Sequence, residues 1–236
     1  MPALSPSALL LVWEEGLQSP PAARPLALLR GLAPERDADE LALLSVGRRD
    51  AELLALRARA FGGLVDAVAD CPACGELLEL SFDASEVEPG AEPRLEDTHE
   101  LAALGFDVRF RLPTTDDLGA AGREPDVASA RDALLARCIL EPPPATIPEP
   151  VRDAVARAMA ELDPFANVEL ELACPACGEA GTVTFDIASF LWAELDAGAR
   201  RTLEEVHVLA SAYGWNEEDV LALGPERRRV YLELAG

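Results

Sequence analysis

The hexapeptide CPACGE occupies Cys71–Glu76 and returns letter for letter at Cys174–Glu179, 103 residues later. Two thiolates separated by two residues can reach a single ion, because the turn between them points both sulfurs the same way. Pro72 and Pro175 stiffen each turn, while Gly75 and Gly178 permit a positive φ after the second cysteine. One pair supplies half of a tetrahedral shell. Both pairs together complete a four-thiolate site of Cys71, Cys74, Cys174 and Cys177. Loop-closure cost grows only logarithmically with length, so the long separation is no obstacle.

Ligand softness and geometry select Zn2+ for such a site. A closed four-thiolate shell leaves no position for a reactive water, so the zinc is expected to be structural rather than hydrolytic. Iron is the alternative, since ligands alone do not separate the two metals. Rubredoxin, an acidic electron carrier, also holds iron on two CxxCG knuckles. Here the knuckles lack the aromatic neighbours of that small fold and belong to a much longer chain. A thioredoxin-like redox pair is disfavoured because no βαβ pattern surrounds either CxxC.

Around each knuckle the hydrophobic period is two. Leu78, Leu80 and Phe82 alternate with polar residues after the first; Val168, Leu170 and Leu172 precede the second, and Val183, Phe185 and Ile187 follow it. A Phe-Asp pair stands 11 residues after the first cysteine of each copy, as Phe82-Asp83 and Phe185-Asp186. The two copies therefore read as one hairpin used twice. They are expected to pair through the metal into a small four-stranded ribbon.

Elsewhere helical spacing dominates. Ser7 is a candidate cap for a helix carrying Leu9, Leu10, Val12 and Trp13. Leu53, Leu54, Leu56 and Phe61 share a helical stripe with Arg57 and Arg59 outside, stopped by Gly62-Gly63. Between the knuckles, Phe106, Val108 and Phe110 mark a strand, Thr114/Thr115 start a helix, and residues 126–141 and 151–162 give two more helices. The acidic stretches 86–97 and 96–100 read as irregular and mobile. In the tail, Leu203, Val206, Ala210 and Tyr213 form a stripe, Asn216 caps the next helix, and Gly224-Pro225 separates it from the last. The fold class is thus α+β, mainly helical with a small antiparallel zinc-ribbon-like sheet made from the two CPxCG hairpins. The segments are 1–63 (N-terminal helices), 64–90 (first knuckle hairpin), 91–164 (inserted strand and helices), 165–189 (second knuckle hairpin) and 190–236 (C-terminal helices).

Of 236 residues, 43 are acidic and 20 basic, for a net charge of −23; every basic side chain is arginine. Such a surface repels phosphate backbones and anionic lipid, which argues against nucleic acid and membrane as partners and against a DNA-binding zinc-ribbon transcription accessory. A basic protein partner suits it better. No apolar run reaches the roughly 18–20 residues of a membrane helix, and the opening MPALSPSALLLVWEEGL lacks the basic flank of a signal peptide. Five cysteines, four of them in CxxC pairs, indicate a reducing compartment, with the cytoplasm as the default. Cys138 reads as a small core residue, His99 as solvated, and His207 as packed at the core edge. With two histidines, neither beside a Cys or Ser motif, a hydrolase triad is hard to assemble. Asp116-Asp117 is the expected background of an acidic chain, and no enzyme motif emerges. Arg227, Arg228 and Arg229 form the densest basic cluster, either an ordinary solvated face or a docking face for a carboxylate-rich partner.

The runs VGRRDAELLALRARAFGG and CPACGELLELSFDAS, with VRFRLPTTDDL, LLARCILE and the tail ASAYGWNEEDVLALGPERRRVYLEL, resemble the T-even phage baseplate proteins, the baseplate hub assembly chaperone family, and relatives from phage-tail-like contractile injection systems. The likeness runs in patches from about Ser45 to Leu234. It implies a non-enzymatic assembly factor or minor component of a contractile-tail baseplate, with other baseplate and hub proteins as partners. It also implies a place in the cytoplasm or in the particle itself.

Overall fold

The computed structural model describes residues 5–84 and 98–236. The acidic stretch 86–97, read above as irregular, lies outside the described residues. Ser5, two residues before the expected cap, accepts from Ala8 N–H (3.1 Å) and opens α1 (Pro6–Gln18). Pro6 and its fixed φ suit the first helical position, which draws the start forward from Ser7. Three more helices follow: α2 (Arg24–Leu32), α3 (Ala38–Ala42) and α4 (Val46–Phe61), the last capped by Ser45 and stopped at Gly62 with φ +98°.

The first hairpin is β1 (Leu64–Asp70) and β2 (Leu77–Asp83). The insert contributes β3 (Thr98–Ala103), β4 (Phe106–Arg111), α5 (Thr115–Ala121), α6 (Val127–Cys138), β5 (Ile139–Glu141) and α7 (Glu149–Leu162). Then come the second hairpin, β6 (Val168–Ala173) and β7 (Ala180–Phe185), and α8 (Ile187–Tyr213), α9 (Glu217–Leu221) and α10 (Pro225–Ala235). The protein is mainly helical with small antiparallel sheets, as expected.

The single four-stranded ribbon does not form. Among the described residues β1–β2 and β6–β7 are separate two-stranded sheets, and β3–β4–β5 is a third. A period of two specifies a pleated face but not which backbone edges pair. Here the two hairpins meet through side chains instead.

Three cores organise these elements. The first joins both ends of the chain: Leu28 and Leu29 of α2, Leu53 of α4, and Leu191 and Leu195 of α8 are fully buried together. Close approach of α1 to α8 fits Gly16, where a Cβ would stand 2.2 Å from the Trp192 ring. Trp13 Nε1 donates to Asp196 across the same contact (2.8 Å). The second core, inside the insert, packs Val108 and Phe110 of β4 on Val151 and Val155 of α7, with Cys138 fully buried as expected. The third is small and lies at the knuckles: Cys71, Leu78, Leu172 and Cys174.

Several side chains turn out differently from the sequence reading. Arg57 is buried, because its guanidinium pairs with Glu194 of α8 (2.8 Å) and donates to the carbonyls of Gly62 and Leu64, tying the end of α4 to β1. Phe61, expected on the apolar stripe, is exposed. On α8 the buried stripe is Leu191, Leu195, Ala199, Thr202 and Leu209, so Leu203 and Tyr213 stay partly exposed and His207 faces solvent. His99 is not in a loop; it sits half-buried on β3, 5.6 Å from the Phe110 ring. Arg227–Arg229 is not a uniform basic patch. Arg228 is buried against Glu205 and the carbonyl of Leu223, and Arg229 is paired with Glu226 and Glu233.

Candidate metal centre

Each knuckle closes the same way. In the first, Gly75 N–H donates to Cys71 O (2.9 Å) and Cys71 N–H to Glu76 O (2.8 Å); in the second, Gly178 N–H donates to Cys174 O and Cys174 N–H to Glu179 O, both at 2.9 Å. Gly75 and Gly178 have φ of +75° and +74°, the left-handed conformation that glycine adopts without strain. Identical sequence thus gives identical local structure.

The fold then sets the copies face to face. Cys71 Sγ lies 3.9 Å from Cys177 Sγ and Cys74 Sγ lies 3.7 Å from Cys174 Sγ. The first cysteine of each knuckle therefore meets the second of the other, the pattern of a two-fold relation between the repeats. Phe82 and Phe185, the equivalent residues further along each hairpin, pack on one another edge to face at 5.1 Å. Leu78 and Leu172 fill the space between. All four sulfurs fall within 4.8 Å of one another. Cys71 and Cys174 are buried, Cys74 and Cys177 exposed.

These distances suit a metal. A tetrahedron with metal–sulfur bonds of about 2.3 Å has sulfur–sulfur edges of about 3.8 Å. They do not suit a disulfide, whose sulfurs would stand near 2.05 Å. Electrostatics points the same way. The backbone N–H of Cys74, then that of Ala73, draws the Cys71 thiol down to about 7. At Cys74 the N–H of Glu76 also favours the thiolate, but Cys177, burial, Cys174 and Cys71 together outweigh it and push the thiol up to about 12. Four sulfurs this close cannot all ionise beside one another without a cation among them. The arrangement is compatible with a metal site, and its chemistry is that of ion binding by soft ligands.

A second polar centre was not legible as such. Asp117 of α5, read as background acidity, is fully buried. It accepts from Arg111 (2.5 and 3.0 Å), Arg137 Nε (2.7 Å), and the backbone N–H of Thr114 (2.9 Å). Burial raises its pKa, but the donors from Arg111, Thr114 and Arg137 prevail and hold the carboxyl far below the usual range. The available signal was the spacing Thr114-x-x-Asp117, a capping box. Asp163, at the end of α7, similarly accepts from Ser45 Oγ (3.0 Å) and Gly47 N–H (2.8 Å), joining the insert to the start of α4. Both centres tie separate elements of the fold together.

Residues 26–141, just under half of the chain, match the family model described as T4 bacteriophage base plate protein. This segment is thus similar to the T4-type phage baseplate family, in line with the resemblance read from the sequence. No curated protein and no solved structure gives a match. The matched segment holds Cys71 and Cys74 together with the Asp117 centre; Cys174 and Cys177 lie beyond it. No helix of the described residues is long and apolar enough to cross a membrane.

Proposed function

We propose that this chain is a non-enzymatic assembly factor or minor structural component of the baseplate of a phage-like contractile tail or injection system. The observation that carries the reading is the baseplate-family match over residues 26–141. A structural role in a baseplate calls for rigid presentation of protein-binding faces. The four clustered cysteines supply a means: Cys71, Cys74, Cys174 and Cys177 would hold one structural Zn2+, which when bound locks the two hairpins as a unit. The edge length of about 3.8 Å expected for zinc lies between the 3.7 and 3.9 Å of the two cross-knuckle pairs Cys74–Cys174 and Cys71–Cys177. The five segments divided at residues 63, 90, 164 and 189 are our reading of how the chain is organised around that unit.

Partners are then other baseplate or hub proteins rather than nucleic acid or membrane, in keeping with the −23 charge. Co-expression with the neighbouring tail-gene products, followed by size-exclusion chromatography, tests this reading. A stable complex with a baseplate or hub protein is expected. Migration of the chain alone in every pairing contradicts it. Metal analysis separates the electron-carrier alternative: a colourless zinc protein is expected, and a red iron–thiolate chromophore overturns the structural-zinc assignment.

A further inference from the structure

The last helix keeps an apolar stripe out of both the core and its own ion pairs. On α10, Arg228 turns inward to Glu205 of α8, while Arg229 is clamped between Glu226 and Glu233 along one flank. The remaining face carries Val230, Tyr231 and Leu234, spaced i, i+1 and i+4 on one side of the helix, with Arg227 one turn before them. Yet Val230 is 45% and Leu234 72% exposed. The stripe runs into an aromatic cluster: Tyr231 lies 4.9 Å from Trp215 and 5.7 Å from Tyr213, and Tyr213 stacks on Trp215 at 4.8 Å. Rings already packed on one another are rigid, so little side-chain entropy is lost when a partner covers them. Beside Trp215 stand the exposed acids Glu217, Glu218 and Asp219.

We propose that this surface, the Val230–Leu234 stripe with the Tyr213/Trp215/Tyr231 cluster, docks an amphipathic helix of another protein whose aliphatic stripe is flanked by basic side chains. Charge decides the occupant. A second copy would bring another −23 against the first, whereas lysine or arginine beside an apolar stripe complements the acidic rim. The inference rests on the reading of the chain as an assembly protein and names the chemistry of one partner surface.

A labelled synthetic helix of about 14 residues, leucine at i, i+3, i+4 and i+7 and lysine elsewhere, serves as the probe by fluorescence anisotropy. The double variant Val230→Glu/Leu234→Glu alters two exposed side chains, and circular dichroism checks that it folds. It adds two negative charges, so attraction by charge alone would strengthen binding of a lysine-rich peptide. Apolar docking instead predicts binding weakened at least about tenfold, and markedly weaker binding of a scrambled peptide of the same composition. Unchanged or tighter binding by the double variant, or equal binding of the scrambled peptide, overturns the proposal. So does a wild-type dimer in sedimentation that the double variant dissolves, which would make the occupant a second copy. If the peptide result holds while no baseplate protein forms a complex, the docking surface stands and the baseplate reading falls.

Discussion

Asp117 and the four clustered cysteines are both acidic centres enclosed by separate elements, but among the described residues it is Asp117 that has its counter-charge within the chain. Arg111 from β4 and Arg137 from α6 converge on its carboxylate, and the Thr114 N–H completes the set. At the knuckles, backbone N–H groups stabilise the Cys71 thiolate, while Cys177, Cys174 and Cys71 oppose the ionisation of Cys74. One centre is self-sufficient; the other is compatible with a cation from outside. A buried polar group is retained where its partners are fixed by the fold, and the origin of the partner decides what can dismantle it.

The largest expected effect follows from removing the external partner. Cys174→Ser should abolish metal binding and lower the melting temperature more than Asp117→Asn, Gly47→Ala or Ser5→Ala, since a structural zinc contributes on the order of 10 kcal/mol in small domains. A chelator should reproduce the loss in the parent protein and leave the variant untouched. Equal melting of parent and variant would remove the thiol centre from the comparison.

Asp117→Asn comes next. It leaves two guanidinium groups without their carboxylate, and breaking a buried pair costs about 3 kcal/mol; chemical denaturation reads it, and metal content should not change. Its pH dependence sharpens the contrast. Because the folded pKa of Asp117 is depressed, its contribution is present above the unfolded value near 4 and is lost only as pH falls towards the folded one. The stability gap between parent and Asp117→Asn should therefore stay level from neutral pH down to roughly pH 4. Thiolate ligands take up protons earlier, so acid should release metal before that gap narrows. The reverse order would mean that the two centres are not independent.

Gly47→Ala probes the other carboxylate junction. Its Cβ would stand 2.2 Å from Asp163 Oδ1 and 2.6 Å from the backbone nitrogen of Ala166. Overpacking of this kind costs about 2 kcal/mol, and the loss should appear in the denaturation midpoint. Smallest of all, Ser5→Ala removes the cap of α1 and should cost about 1 kcal/mol. A Ser5 effect as large as that at Asp117 would show that the ranking by burial is wrong.

What was legible in the sequence follows from range. The knuckles were readable because six contiguous residues determine each turn, and the repeated Phe-Asp offset announced a repeated hairpin. Helix ends at Gly62, Asn216 and Gly224-Pro225 were equally local. Strand pairing between hairpins was not, because alternation specifies faces and leaves the backbone edges open. The buried side of α8 was misplaced for a related reason. Leu203, Val206, Ala210 and Tyr213 satisfy helical spacing as well as Leu191, Leu195, Ala199 and Leu209 do, and only contact with the neighbouring helices α1, α2, α4, α9 and α10 selects the second set. Arg57 was read as surface charge because its partner Glu194 stands 137 residues away; at Asp117 the local capping box was legible, but not the burial that Arg137, 20 residues on, helps to balance.

Elemental analysis of the purified chain, with free thiols counted before and after denaturation, decides whether the two knuckles share one ion. One zinc per chain is predicted, with Cys71, Cys74, Cys174 and Cys177 shielded from thiol reagent until the metal is removed. Metal-free protein whose exposed Cys74 and Cys177 react freely in the native state, or iron in place of zinc, would contradict it.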